Sequence, residues 1–419
     1  LSIEWFLDRM RTFGNRDAII LQDRDCVATY NDLLDEIDRQ KPAPLSSFAM
    51  DDPVSDIALM LSAINKGYVV VPLPKFDTRR DRKIELVAGS LDFIDEVVLP
   101  GKPALVVFTS GSTGDEKAIL FAAEQMMERY RQLYPPRTRL SFLQLDHLGG
   151  IHTVLYTLSN GGTIVVPRDR NPQTICEAIE KYKIEALPVT PTFLNILLAS
   201  EAYKEYDLSS LRVVTYGTEV MPESVLKRIS RELPYVKFKQ TYGLSELGVM
   251  HVKSRDSVST WIKITDDKYE AKIQDGTLWV RTEFAMKAYL NAPNPFDHEG
   301  WFNTHDKVEF DGEWMRILGR DTDIINVGGL KVYPVEVENV LLDMPGVIDA
   351  LVDGISNPFT GNAVAVTLQI EERFDATIIK KRVRDFCKGK LESYKIPVLV
   401  DVTTVPLTGP RCKKIRTVV

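Results

Sequence analysis

The sequence predicts an α/β protein: a large N-terminal part built on parallel βαβ sheets, followed by a small α+β C-terminal part. Three observations carry this reading. Between residues 163 and 241 short apolar runs alternate with stretches of helical length: Ile164–Val166, a helix near Ile175–Tyr182, Ala186–Pro188, a helix near Thr192–Ala199, Val213–Thr215, a helix over Pro222–Leu233, and Val236–Thr241. Strands separated by helices of that length are crossover units of a parallel sheet. A smaller alternation follows, with strands at Val347–Val352, Ala363–Ile370 and Val398–Val402 and a helix over Ala376–Glu392. Finally, 419 residues at 44% hydrophobic and 26% charged suffice for two or three domains with substantial cores.

Earlier in the chain Leu33, Leu34 and Ile37 recur at helical period, and residues 57–73 form an apolar helix–strand pair. Ala104–Phe108 is an apolar strand, and Ala123–Leu133 a helix stopped by Pro135-Pro136. The segment 249–275 is polar and reads as irregular. In the C-terminal helix Ile379, Val383 and Phe386 share a packing face.

Composition excludes several classes of function. A net charge of −7 argues against a general nucleic-acid binder. No apolar run approaches the roughly 20 residues of a membrane span. Cys26, Cys176, Cys387 and Cys412 are scattered, with neither a C-x-x-C pair nor zinc spacing, which suits reduced thiols and a cytoplasmic protein. The N-terminus lacks the basic and long apolar regions of a secretory signal.

Chemistry concentrates first where the strand 104–108 ends in Thr109-Ser110-Gly111-Ser112-Thr113-Gly114-Asp115-Glu116-Lys117. Gly111 and Gly114 permit positive φ and close approach to a ligand, the hydroxyls and loop amides can face phosphate oxygens, and Lys117 adds charge. The spacing is not that of a Walker A loop. The same composition also makes an ordinary surface turn. Two further stretches, Tyr216-Gly217-Thr218-Glu219 and Tyr242-Gly243-Leu244-Ser245-Glu246, follow predicted strands at their carboxyl ends, where ligands of open parallel sheets bind. A carboxylate such as Glu246 among phosphate binders requires an intervening cation, although Ser245-Glu246 could equally cap a helix.

T-S-G-S-T-G-x-x-K resembles the phosphate loop of the adenylate-forming superfamily, which includes acyl-CoA synthetases, peptide-synthetase adenylation domains and luciferases. Four more stretches resemble that family's motifs in its order: Thr241–Glu246, Gly300–Asp306, Gly319–Asp323 running into Gly328–Val332, and a lysine-rich tail. The resemblance implies a large N-terminal adenylation domain over residues 1–319, a hinge at 320–323 and a small C-terminal lid over 324–419. It places Thr109, Ser110, Gly111, Ser112, Thr113, Gly114 and Lys117 on the polyphosphate of ATP. It puts Gly217, Thr218 and Glu219 against adenine, with Tyr242 stacked on the ring and Gly243 beside it. Ser245 then contacts the α-phosphate, Glu246 ligates Mg²⁺, Asp306 accepts from both ribose hydroxyls, and Arg320 reaches the ribose or phosphate.

In the same family His147 and Gly149 border the acyl pocket, with the glycines opening space. Asp146 is a candidate for binding an amino acid. Gly328, Gly329 and Lys331 line the passage for a phosphopantetheine thiol, although a glycine pair also suits any tight hairpin. The tail departs from the family pattern: strict spacing puts Cys412 at the lysine position, and one inserted residue gives Lys413, with Lys414 next. His305 stands where the family has glycine, and Thr322 at the usual pivot. The residues 74–102 and 249–275 are abbreviated.

The implied activity is ATP-dependent conversion of a small carboxylic acid to an acyl-adenylate, then transfer to a thiol, with CoA or the phosphopantetheine of an acyl carrier protein as acceptor. Neither nucleic acid nor membrane is expected as a partner. Two other classes fit the same residues: an amide- or ester-forming ligase without pantetheine, and a protein that binds nucleotide or acyl-adenylate without turnover.

Overall fold

The computed structural model describes residues 3–49, 51–110, 116–409 and 414. Its frame is a seven-stranded sheet in the spatial order 237–240, 213–216, 186–189, 138–140, 163–166, 17–21, 26–29. All neighbours are parallel except the terminal pair 17–21 and 26–29. The predicted strands at 164–166, 186–188, 213–215 and 236–241 all lie in it, and the helices between them are Pro172–Tyr182, Pro191–Ser200 and Glu223–Glu232. The sequence starts each helix physically. Asn171 and Thr190 cap the first two with side-chain oxygens, accepting from the backbone amides of Gln173 and Phe193, and proline follows each cap.

A second, mixed sheet orders its strands 288–289, 116–122, 104–110, 69–72, 45–48. Between the two sheets lies the largest core. Ile19 and Ile164 from one sheet and Val70, Leu105, Val107, Ile119 and Phe121 from the other close on the helices Glu4–Arg11, Tyr30–Arg39, Pro53–Asn65 and Leu148–Ser159. The outer face of the first sheet packs on the three crossover helices, and the outer face of the second on Arg80–Ala88 and Leu91–Val98. The stack is five layers deep.

The segment 249–275, expected to be irregular, is instead mostly strand. Val252–Ser254, Ile262–Ile264 and Tyr269–Gln274 join 277–282, 302–311 and 314–320 in a six-stranded antiparallel sheet, and Tyr242–Leu244 pairs with Gly248–Met250 as a separate ribbon. Charged residues alternate there because one face is solvated: in 269–274 only Tyr269 is buried. Two helices are shorter than expected. The first spans Ala123–Met127 and tightens into a 3₁₀ turn, and the C-terminal one ends at Cys387 before Gly389, whose φ is +76°.

From Ile325 onward the chain builds another sheet with its own core. The hairpin Ile325–Val327/Leu330–Val332 pairs with Gly361–Ile370, which is flanked by Val347–Asn357 and Leu399–Thr403. Helices Pro334–Leu342 and Ala376–Cys387 cover it.

The hairpin that presents the loop 111–115 is braced from outside. Glu116 binds Arg79 and Lys83, each at 2.9 Å, and Lys83, itself 6% exposed, also holds Asp77 at 2.6 Å. Asn291 clamps the same strand, accepting from the Ala118 amide and donating to the Glu116 carbonyl, both at 2.8 Å. Lys83→Met leaves two acids around one apolar site, so urea denaturation is expected to show a loss of about 3 kcal/mol. A change near zero would show that the brace is ornamental.

Candidate active site

One large cleft, of about 1190 Å³, collects most of the residues singled out in the sequence. It runs over one face of the parallel strands to their carboxyl ends, and its walls include Thr109, Lys117, His147, Gly149, Gly217, Thr218, Tyr242, Gly243, Ser245, Glu246 and Arg320.

Thr109 and Lys117 face each other across the hairpin 104–110/116–122, at the base of the loop. Ser110 ends the first strand, while Gly111, Ser112, Thr113 and Gly114 lie outside the described residues. The Lys117 ammonium sits 4.9 Å from the centroid of the Tyr289 ring, and the Tyr289 hydroxyl donates to Glu246 Oε1 at 2.7 Å. Burial, then the Glu246 charge, pushes the Tyr289 phenol upward, which keeps it a donor. Glu246 Oε2 has no hydrogen-bond partner among the described residues. Tyr289 was not recognised from the sequence, where it looks like any strand tyrosine.

The ribbon 242–250 positions Tyr242 and Glu246. Gly243 must be glycine because a Cβ would overlap the facing Gly248 carbonyl, and at Gly217 a Cβ would overlap the Thr241 hydroxyl. Thr218 follows with φ +71°, so this turn carries strain at the cleft wall. Tyr242 is buried and its hydroxyl donates to Asp306 Oδ2 at 2.7 Å. Arg320, the cross-strand partner of Asp306, brings its Nε to 3.7 Å from Oδ1. Burial raises the Asp306 carboxyl, and the Tyr242 hydrogen bond and the Arg320 charge oppose that rise. Asp306 therefore stands behind Tyr242 and Arg320 and not on the open wall.

Glu219 is also set back from the cleft. Its carboxylate accepts from the Thr192 hydroxyl at 2.7 Å and from the Lys414 backbone amide at 3.0 Å. His305, at the family's glycine position, has φ +60°, the left-handed conformation that explains a preference for glycine there. Its Nδ1 lies 3.2 Å from both carboxylate oxygens of Asp321, so the ring turns toward the segment 321–323.

His147 caps helix 148–159, accepting from the Gly149 amide at 3.1 Å. Gly149 faces the cleft. Gly150 does not open space there: a Cβ on it would overlap the Gln144 carbonyl, so that glycine serves packing of the helix start. Asp146 is 3% exposed and away from the cleft wall. His152 also lines the cleft. Burial holds its imidazole well below the usual range, and its Nδ1 lies 3.2 Å from the Tyr130 hydroxyl.

Gly328 and Gly329 form the two-residue turn of their hairpin with φ of +59° and +88°, as a type I′ turn requires. Neither they nor Lys331 reach the cleft in this arrangement of the chain. Lys413 lies outside the described residues. Lys414 is described, and its ammonium is engaged elsewhere: Glu338 at 2.9 Å, Asp349 at 3.2 Å and the Ala350 carbonyl at 2.7 Å.

Among the described residues no cluster of three or more His, Cys, Asp or Glu is placed to hold a metal, and no helix is long and apolar enough to cross a membrane. A lone carboxylate with one uncommitted oxygen suits Mg²⁺, which keeps waters and takes further ligands from substrate phosphates.

Comparison with known proteins agrees with this architecture. The family model described as AMP-binding enzyme matches residues 20–290, and the AMP-binding enzyme C-terminal domain matches residues 336–410. The chain belongs to the AMP-binding, adenylate-forming enzyme family. Among its curated relatives, indoleacetate–CoA ligase of Aromatoleum aromaticum is 30% identical over 332 residues, covering 72% of this chain and 64% of that protein. The 4-coumarate–CoA ligase-like 9 of Arabidopsis thaliana is 29% identical over 345 residues, covering 74% and 59%. The chain thus spans about three fifths of the length of these relatives. In fold it is similar to the anthranilate CoA ligase AuaEII in complex with anthranoyl-AMP, with TM-score 0.80, 17% identity and 98% and 95% of the two chains covered. ATP-bound MatB from Rhodopseudomonas palustris gives TM-score 0.79, 18% identity and 96% coverage of both chains.

The Lys414 geometry yields a prediction. Glu338 and Asp349 are 2% and 3% exposed, so Lys414→Met leaves two buried acids facing each other. The expected stability loss is about 3–5 kcal/mol. Burial already raises the Asp349 carboxyl, against the pull of Lys414, and removing the lysine raises it further. A carboxyl raised in the folded state contributes stability below its unfolded pKa and loses it as pH rises through the folded value, so the deficit should shrink on acidification from about pH 7 to about pH 5. A deficit independent of pH would contradict the electrostatic account.

Proposed function

We propose that the chain activates a small carboxylic acid with ATP, forming an acyl-adenylate and releasing pyrophosphate, and passes the acyl group to the thiol of CoA. The observation that carries the reading is the convergence of Thr109, Lys117, Glu246, Tyr242 and Arg320 with His147 in one cleft. The relatives' names favour a CoA acceptor, and a phosphopantetheinyl carrier protein is the next acceptor on chemical grounds.

The first step is attack of a carboxylate oxygen on the α-phosphorus of ATP. Two anions must meet, so rate comes from positioning and from charge neutralisation. Lys117 supplies positive charge at the base of the loop 111–115, where the leaving pyrophosphate would lie. Thr109, Ser110, Gly111, Ser112, Thr113 and Gly114 supply hydroxyls and amides. Glu246, oriented by the Tyr289 hydroxyl, is the ligand for Mg²⁺, which when bound offsets phosphate charge. Tyr242 and Gly217 to Glu219 form the adenine side, and Asp306 and Arg320 the ribose side.

Lys413 is the proposed lysine at the reacting carboxylate, because the Lys414 ammonium is committed to Glu338 and Asp349. Residues 320–323 act as the hinge between an adenylation domain, 1–319, and a lid, 324–419. Rotation there would bring Gly328, Gly329 and Lys331 to the cleft for thioester formation, the kind of gating step that sets turnover in many enzymes.

ATP–pyrophosphate exchange across fatty, aryl and amino acids tests the reading. Glu246→Gln and Lys413→Ala should each lower exchange by at least about 100-fold with the fold intact. Full exchange in Lys413→Ala would overturn that assignment, and wild-type protein that binds ATP but exchanges with no acid would favour a binding protein.

A further inference from the structure

The same cleft extends past the nucleotide side into a region of unbalanced positive charge. Arg139, on the strand Thr138–Leu140 in the middle of the seven-stranded sheet, lines it together with Arg137, Arg212, Lys237 and Lys239. Among the described residues none of these five cations has a carboxylate within 4.0 Å; the closest acid to matter, Glu185, accepts instead from the Thr138 amide at 3.1 Å. His251, also on this wall, has Asp266 at 3.8 Å.

Arg139 differs from the other four in being held. Its Nε donates to the Thr157 hydroxyl at 3.1 Å, and its guanidinium lies 5.1 Å from the centroid of the Tyr156 ring. The Tyr134 ring stands 5.6 Å beyond Tyr156. Burial, with repulsion from Arg137 adding to it, pulls the Arg139 pKa down. A guanidinium withdrawn from water and oriented by an aromatic face, but without a counter-ion, is costly unless a ligand brings the charge.

Helix 148–159 gives the distance. Gly149 and Tyr156 share its cleft-facing side, seven residues apart, which is about 10 Å along the axis. We propose that Arg139 is a specificity-determining residue that binds a second carboxylate on the acyl substrate, so that the acid activated at the His147–Gly149 end is a dicarboxylic acid. This rests on the reading of the cleft as an adenylation site. Tyr134 and Tyr156 flank the spacer between the two carboxylates, and the planar Arg139 fork takes the distal one in bidentate fashion.

The experiment compares α,ω-dicarboxylic acids of roughly six to twelve carbons, the span set by the helical rise, with their monomethyl esters in the exchange assay. Wild type should prefer a diacid over its ester by about 10- to 100-fold in kcat/KM, mostly through KM, as loss of a charged hydrogen bond predicts. In R139Q the ratio should fall to about one, and in R139K it should recover in part. Equal use of diacid and ester by wild type, or a ratio unchanged in R139Q, overturns the assignment while leaving adenylation standing. If no acid supports exchange, the adenylation reading fails by itself, and calorimetric binding of the same pairs still decides this one: tighter diacid binding lost in R139Q sustains it, equal binding sinks it. Urea melts of R139Q and R139K separate lost contact from lost fold.

Discussion

The pairing of strand 302–311 with 314–320 is the contact on which the site depends. Its register sets Asp306 opposite Arg320, and a buried carboxylate there is tolerable only because Tyr242 donates to it and the guanidinium stands nearby. Tyr242 comes from a separate ribbon, so the hydrogen bond ties that ribbon to the antiparallel sheet. The same ribbon carries Glu246, whose carbonyl accepts from the Met286 amide at 2.7 Å and whose carboxylate takes the Tyr289 hydroxyl. Tyr289 lies on the strand beside 116–122, whose first residues bear Lys117. A chain of contacts thus runs from Arg320 through Asp306, Tyr242, Glu246 and Tyr289 to Lys117 across three different sheets. A shift in any one sheet moves the cations relative to the carboxylates.

The C-terminal part is docked by contacts of another kind. Asn195 donates to the Ile348 carbonyl at 2.6 Å, and the Lys414 amide reaches Glu219 at 3.0 Å. Both are polar, from helix 191–200 and from the turn that precedes helix 223–232. Leu342 is the buried apolar residue that joins the core of those helices. Among the described residues it is the one buried apolar residue of this part in that core, so the interface costs less to separate than the continuous core between the two large sheets. His305 and Asp321 add an exposed contact across the segment 320–323, which favours this arrangement only modestly.

What the sequence revealed follows from where local chemistry decides structure. The parallel strands read clearly because buried strands such as 164–166 and 213–216 are short apolar runs between well-capped helices. The motif residues read clearly because glycines and hydroxyls at strand ends have few other uses. Segment 249–275 did not, since one solvated face dilutes its strands with charge. Tyr289, Asn291 and Lys83 were hidden for another reason: each acts on a residue that is distant in the chain, and neither period nor spacing encodes a partner 33 to 175 positions away. Arg139 was hidden likewise, as a lone basic residue in a strand that otherwise pairs normally.

The charge pattern of the cleft follows from the sheet itself. In strand 237–240 Lys237 and Lys239 point one way and Phe238 and Gln240 the other, because side chains alternate; the latter pair is buried, Phe238 in the core of the crossover helices, and the former is exposed and lines the cleft. Arg137 and Arg139 obey the same alternation three strands further along the sheet. A cleft face built for an apolar chain would carry valine or leucine at those positions, as the opposite face does at Val214, Phe238 and Leu187. Packing does not explain Arg212, Lys237 and Lys239, which are exposed, and no described carboxylate lies within 4.0 Å of any of the five cations. Their remaining physical role is to set the electrostatic potential seen by whatever enters, and a negative ligand gains from that potential along the whole wall.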